Sequence, residues 1–236
     1  MPSKTIDDLS SVRFFAELDK TVLEIVNRAA SSQHYETGET VFLQGDPCAG
    51  LYIVLEGWLK GIITSPSGRE QIIRLLGSGD IFNEIGLLSN GRNLVTVQAP
   101  EDSTLWVIER KTIMRLMDEY PRLCRAITHN LAERVLHLMK LVEDLSLRTV
   151  KSRMARLLLE NAKEGVINRR RWMTQTEIAA RLGTVLDVVN RILTSLEKDG
   201  FISVARTKPL ACDYAGQYET ICPIQAIACL FISFPR

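Results

Sequence analysis

No run of about 18 apolar residues occurs anywhere in the 236-residue chain, so no membrane-spanning helix is expected. The first residues, Met1-Pro2-Ser3-Lys4-Thr5-Ile6-Asp7-Asp8, lack the apolar core of a signal peptide, and residence in the cytoplasm is expected. Cysteine is sparse and unpatterned: the five thiols, Cys48, Cys124, Cys212, Cys222 and Cys229, are odd in number and irregularly spaced. That argues against a disulfide framework and supplies no zinc-site spacing, so free thiols are expected. Histidine is as scarce, with only His34, His129 and His137. No nucleophile–base pairing and no metal-spaced ligand set can be assembled, so neither an enzyme, a metal site nor a bound cofactor is expected.

What the chain does have is a charge asymmetry hidden beneath a net charge of +1. Residues 1–145 carry 15 Lys and Arg against 20 Asp and Glu, whereas residues 146–208 carry 13 against 6. An acidic front and a basic back suit a sensor joined to a reader of a polyanion, the plain alternative being a solvated basic face. Hydrophobic content of 46% and charge of 24% are those of an ordinary globular protein, long enough for two modest domains.

Within the basic segment, Met173–Gly183 running on to Leu196 reads as two short helices joined at a glycine turn. Thr174 stands at an N-cap with Glu177 three residues on, the spacing of a reciprocal cap. Ile178, Ala179 and Leu182 give the first helix its apolar face. Val185, Val188, Val189, Ile192 and Leu193 give the second. Asp187, Asn190 and Arg191 lie between those positions, a polar face able to reach base edges in a major groove. A helical hairpin with no nucleic-acid role is the alternative for such a motif in isolation.

The front is organised differently. Residues 7–30, with Leu9, Val12, Phe14, Phe15, Leu18, Val22, Leu23, Ile25 and Val26, read as short amphipathic helices. From Gln33 to Ile108 glycine punctuates short β segments: Val41–Leu43, Leu51–Leu55, Leu59–Ile63, Gln71–Leu76 and Leu105–Ile108. Many short strands with glycine turns predict a small jelly roll that encloses a ligand pocket. Helical periodicity then dominates Pro121–Leu145, where Leu123, Ile127, Leu131, Leu138, Val142 and Leu145 form a stripe that Val135 joins. A second copy of the same helix is the economical partner for that stripe, and the chain's own roll is the other. A further helix, Val150–Ala162, leads into the basic region.

Four segments in order carry a family resemblance: Gly38–Asp46, Leu55-Glu56-Gly57, the cassette Gly79–Leu88, and the helix-turn-helix. Over about residues 10–207 the chain resembles the Crp/Fnr family of bacterial transcription regulators. The resemblance implies an α+β fold: an N-terminal double-stranded β-roll (a jelly roll of the cyclic-nucleotide-binding type) at 1–120, a dimerisation helix at 121–145, and a C-terminal winged helix-turn-helix at 146–208. It implies a homodimer held through Leu123, Ile127, Leu131, Leu138 and Val142. That dimer would bind palindromic sites on double-stranded DNA, respond to a small-molecule effector and contact RNA polymerase.

The effector positions implied by the resemblance are Asn83, Glu84, Arg92, Asn93, Leu138 and Met139. They depart from the cyclic-AMP pattern. Asn83 replaces a glycine beside Phe82 and Glu84, Asn93 stands at the phosphate arginine's position with Arg92 displaced by one, and Leu138-Met139 replace a polar pair. A cyclic phosphate without its guanidinium forgoes a charge-assisted bidentate pair, so cyclic AMP is not the expected effector and a hydrophobic or aromatic small molecule is. An iron–sulfur centre needs four thiolates, and no cysteine precedes Cys48. Haem or redox sensing on the same fold stays an alternative, as does a cyclic-nucleotide-type regulatory subunit with no DNA role. The DNA-reading positions are Leu186, Asp187, Asn190 and Arg191. Thr174, Thr176 and the run Arg169–Arg171 are phosphate contacts in this reading, the run being otherwise a solvated loop. After Lys208 the family pattern stops, and residues 209–236 form an atypical apolar tail, either a genuine extension or a shifted reading frame.

Overall fold

The computed structural model describes residues 19–162, 166–167, 170, 172–202 and 210–211. The chain divides into two compact units, residues 1–140 and 141–236.

The front unit is built on two four-stranded antiparallel sheets. One has the order β1 (Ala30–Tyr35), β8 (Ser103–Glu109), β3 (Gly50–Glu56), β6 (Ile81–Phe82); the other β2 (Thr40–Phe42), β7 (Thr96–Gln98), β4 (Trp58–Thr64), β5 (Glu70–Gly77). The continuous apolar run of β3 is explained by burial on both faces. Tyr52 and Val54 face inward with Leu59, Leu76, Phe82 and Val97, while Leu51 and Ile53 join the helical layer outside. That outer layer comprises α1 (Lys20–Ala29), α3 (Arg110–Glu119) and the start of α4 (Pro121–Leu147); a short α2 (Glu84–Leu88) follows β6. Val22, Val26, Ile113, Leu116, Leu123 and Ile127 cluster there with Trp106 and Ile108. Each such aliphatic side chain stabilises the unit by about 1.5–3 kcal/mol when fully buried.

The expected strands are present, but β2 ends at Phe42 and leaves Leu43 exposed. The sequence pattern misses β1, β6 and β7: two are only two or three residues long, and β1 (Ala-Ser-Ser-Gln-His-Tyr) is exposed from Ser31 to His34 and has little apolar content. Of the predicted amphipathic segment, Lys20–Ala29 is helical; Leu9, Val12, Phe14, Phe15 and Leu18 lie outside the described residues.

The stripe on α4 needs correction. Leu123 and Ile127 are wholly buried in the front unit's own core and Leu131 packs against it, so these three are occupied within one chain. Leu138 is half-buried. The apolar side chains that remain exposed are Val135, Leu136, Met139, Val142, Leu145 and Leu147. At about 100° per residue, Val135, Met139 and Val142 lie roughly a quarter turn from Ile127, a separate face that a single seven-residue stripe merges with the first.

In the back unit, α5 (Val150–Asn161), α6 (Gln175–Leu182) and α7 (Leu186–Lys198) converge on one core of Met154, Leu157, Ile178, Leu182, Val189 and Leu193. Thr149 caps α5 by accepting from the Ser152 N–H at 3.2 Å. Arg153 closes the preceding helix end, donating from Nη1 to the carbonyls of Asp144 and Arg148, each at 3.0 Å. The Asp144 carbonyl also accepts from the Arg148 N–H at 3.3 Å, so the guanidinium adds to the last turn's own bonds and ties it to α5. A two-stranded antiparallel ribbon pairs β9 (Val166–Ile167) with β10 (Leu210–Ala211).

Candidate effector pocket and nucleic-acid interface

Between the sheets of the front unit lies a cavity of about 50 Å³. Its apolar walls include Phe42, Ile73, Leu76, Phe82, Leu94 and Val97. Its polar groups come from three elements: Arg74 on β5, Asn83 and Glu84 at the start of α2, and Arg134 on α4. Glu84 is only 1% exposed and sits 3.9 Å from Arg134 Nε. Among the described residues, Arg134 Nε and Nη1 and Glu84 Oε1 have no hydrogen-bond partner. Burial, then the charge of Arg74, pushes the Arg134 guanidinium below its ordinary value, with Glu84 and Asp80 opposing. Arg74 is better satisfied: Nη2 donates to Asp80 Oδ1 at 2.9 Å, and Asp80 Oδ2 accepts from the Gly77 N–H at 2.8 Å.

Of the positions expected to meet an effector, the structure brings only Asn83 and Glu84 to the cavity. Asn83 has φ 72°, the left-handed region that a glycine would enter freely. Its Nδ2 donates to Asn93 Oδ1 at 3.0 Å and to Gly50 O at 3.2 Å. Asn93 is 3% exposed and does not line the cavity; its Nδ2 donates to Leu43 O at 3.3 Å. The two asparagines thus form a buried bridge. Gly86 is required beside it, because a Cβ there would stand 2.7 Å from both Asn83 Oδ1 and Arg92 O. Arg92 points away from the cavity, donating from Nη1 to Gly45 O at 2.6 Å. Leu138 and Met139 also lie outside the lining, Met139 being exposed. Arg92, Asn93, Leu138 and Met139 thus lie outside the lining of this cavity.

Neither Arg74 nor Arg134 stands out by motif. The available signal for Arg74 is a lone charge inside the apolar strand Ile72-Ile73-Arg74-Leu75-Leu76, and for Arg134 its place one turn after Asn130 on the face of α4 that covers the roll. No histidine lines the cavity: His34 lies near Thr104, His129 near Glu133, and His137 Nε2 is 3.2 Å from Ile73 O. Cys48 is buried, and its thiol is pushed up by that burial. Cys124 is half-exposed, and Cys212, Cys222 and Cys229 lie outside the described residues.

In the back unit, Thr174 caps α6 by accepting from the Glu177 N–H at 3.2 Å, and Gly183 closes it at φ 66°. Only a residue that tolerates the left-handed region turns the chain into α7 at this point. Val189, Leu193 and Leu196 bury the inner face of α7. Leu186, Asp187, Asn190 and Arg191 share the exposed outer face. Asp187 Oδ2 stands 2.9 Å from Arg191 Nη2, an i,i+4 pair that orients the guanidinium along the helix. Val185, expected in the apolar stripe, is the exposed N-cap of α7 instead. Thr176 is exposed on α6, whereas Arg169 and Arg171 lie outside the described residues.

Two family matches cover these same units: a cyclic nucleotide-binding domain over residues 32–120 and a Crp-like helix-turn-helix domain over residues 152–213. The cyclic AMP receptor protein of Thermus thermophilus is 29% identical over 71% of this chain and 77% of its own length. Among solved structures, FixK2 from Bradyrhizobium japonicum has a TM-score of 0.71 at 21% identity, covering 87% of this chain and 99% of that one. The c-di-GMP responsive global regulator CLP of Xanthomonas campestris reaches 0.72 at 24% identity, covering 83% of this chain and 100% of that one. The chain belongs to the Crp/Fnr family, as a CRP-like, ligand-responsive, DNA-binding transcription regulator. Among the described residues, no helix is long and apolar enough to cross a membrane.

Proposed function

We propose that the protein acts as a homodimer that binds palindromic promoter sites, reads them with α7, and contacts RNA polymerase once bound. The observation that carries this reading is the solvent-facing row Leu186, Asp187, Asn190 and Arg191 on a helix whose other face is fully committed to its own core. Arg191 is the base reader, able to pair with guanine O6 and N7, with Asp187 holding it ready or accepting from cytosine N4. Thr174, Thr176 and Arg169 serve the phosphates. Two copies related by a two-fold axis place their recognition helices in successive major grooves, so half-sites lie about 10–11 base pairs apart. The exposed face around Met139 supplies the pairing surface for α4, with Leu138 and Val142 at its borders.

The effector in this reading is not cyclic AMP, although the Thermus relative is a cyclic AMP receptor. The Asn83–Asn93 bridge occupies the cassette where a phosphate would need an arginine, and Arg92 is turned towards Gly45. Selection on random duplexes tests the function: wild type should enrich a palindrome, and Arg191→Ala should relax one symmetric position per half-site. Loss of that bidentate contact costs roughly 1–3 kcal/mol at the base pair it reads. An unchanged motif for Arg191→Ala removes it as the reader, and no enriched palindrome with wild type overturns the function.

A further inference from the structure

The tip of α7 is apolar where a helix start is ordinarily polar. Val185 stands at the N-cap and makes no side-chain capping bond, and Val185 and Leu186 are 52% and 42% exposed. At the starts of α5 and α6, by contrast, Thr149 and Thr174 accept from backbone N–H groups through their hydroxyls. A valine at the N-cap forgoes that hydrogen bond and here leaves half of its surface wet, so it stabilises the back unit little by either route. The rest of the first turn adds no competing polar group. Asp187 Oδ2 is already 2.9 Å from Arg191 Nη2, and Val188 is half-buried. Residues 185–188 therefore supply no side-chain donor for the two acceptors on a guanine edge. In a helix-turn-helix the N-terminal residues of the second helix are the ones that meet base edges. Thymine, with its C5 methyl group, is the base whose major-groove edge offers an apolar surface to such residues.

We propose that Val185 and Leu186 are specificity-determining residues that read thymine, closing on its methyl group in the major groove. This rests on the reading of α7 as the recognition helix and adds an A·T requirement to the G·C pair assigned to Arg191. The two requirements have a fixed spacing. Leu186 and Arg191 are five residues apart, which at about 1.5 Å per residue is about 7.5 Å along the helix, or roughly two base-pair steps of 3.4 Å. The thymine thus lies about two base pairs from the guanine in each half-site. The contact exchanges apolar surface only, with no counterion released, so its contribution does not vary with salt as the phosphate contacts do. It also gives the uncapped start of α7 a physical reason: a serine there would hold the helix better and would present a hydroxyl to the methyl in place of a hydrocarbon surface.

The test uses the full-length protein and the duplex that selection returns, with each thymine of the half-site replaced in turn by deoxyuridine. Uracil keeps every hydrogen-bonding group of thymine and lacks only the methyl. At the thymine in question, wild type should bind about fourfold more weakly per half-site, the scale of one methyl group left in water. That ratio should hold at low and high salt while overall affinity falls. Leu186→Ala and Val185→Ser should each bring the ratio towards one. Val185→Ser is the deciding variant, because it supplies the missing cap: the thermal midpoint of the back unit should rise by several degrees while methyl discrimination falls. A purely structural role for Val185 predicts no such fall. An enriched palindrome with no thymine near that guanine, thymines that all tolerate deoxyuridine, or full discrimination in either variant overturns the proposal and leaves the regulatory function standing. No enriched palindrome at all ends the function itself.

Discussion

Met139→Glu is the most direct probe of how α4 is used. Met139 is 63% exposed in the single chain, so well over half of its side chain is available for burial by a partner. Complete burial of such a side chain is worth about 1.5–3 kcal/mol, which leaves roughly 1–2 kcal/mol per protomer for the interface. A two-fold axis counts the residue twice. The change should therefore weaken a dimer by about 3 kcal/mol, on the order of a hundredfold in Kd, before any repulsion between facing glutamates. It should leave the fold of each chain intact, because the position contributes nothing to the front unit's core. Ile127→Ala is the opposite case. That side chain is fully buried within its own chain, and its truncation should cost about 2–5 kcal/mol of unfolding free energy. Sedimentation across a concentration series, with urea denaturation of the same samples, distinguishes the two. Met139→Glu should shift association with little change in per-chain stability, and Ile127→Ala should lower stability first. A Met139→Glu protein that associates as tightly as wild type would refute the assignment of this face.

The asparagine bridge predicts that calorimetry with cyclic AMP finds no micromolar binding to wild type, and that Asn83→Gly combined with Asn93→Arg gains affinity; micromolar binding by wild type would contradict the reading. Thr174→Ala should destabilise the back unit by about 1 kcal/mol through loss of the α6 cap, seen as a lower thermal midpoint, and Thr174→Ser should restore it. Burial pushes the Tyr52 hydroxyl up from 10.0 to about 12. The neutral phenol is therefore favoured in the folded state, and the stability this represents is present below pH 10 and lost as pH rises towards 12. Ultraviolet titration should show a late phenolate absent from Tyr52→Phe, and a Tyr52 that ionises near its ordinary value of 10.0 would disprove the packing against Phe42 and Phe82.

The parts of this chain that were readable from sequence are those where one local rule decides the outcome. Thr174 and Glu177 at cap spacing, with Gly183 at the turn, specify the hairpin because backbone donors at a helix start and a left-handed turn are satisfied by few residue types. The run Leu51–Leu55 is readable as a strand because its length and branching leave little else for it to be. Where two rules act on the same residues, the sequence is ambiguous. On α4 the helix period identifies apolar positions without saying which surface covers them, and the roll claims Leu123 and Ile127 while leaving Val135 and Met139 outside. The cassette shows the same limit at the level of single side chains. Asn83, Arg92 and Asn93 occupy positions that resemblance marks as ligand contacts, yet Asn93 is spent on Leu43 and Asn83, and Arg92 on Gly45. The pocket's buried polar atoms without a partner belong instead to Arg134 and Glu84, brought together from α4 and α2 only when the roll closes. A residue's motif position thus reports where its backbone lies, and only the satisfaction of its polar atoms reports whether the side chain is free to meet a ligand.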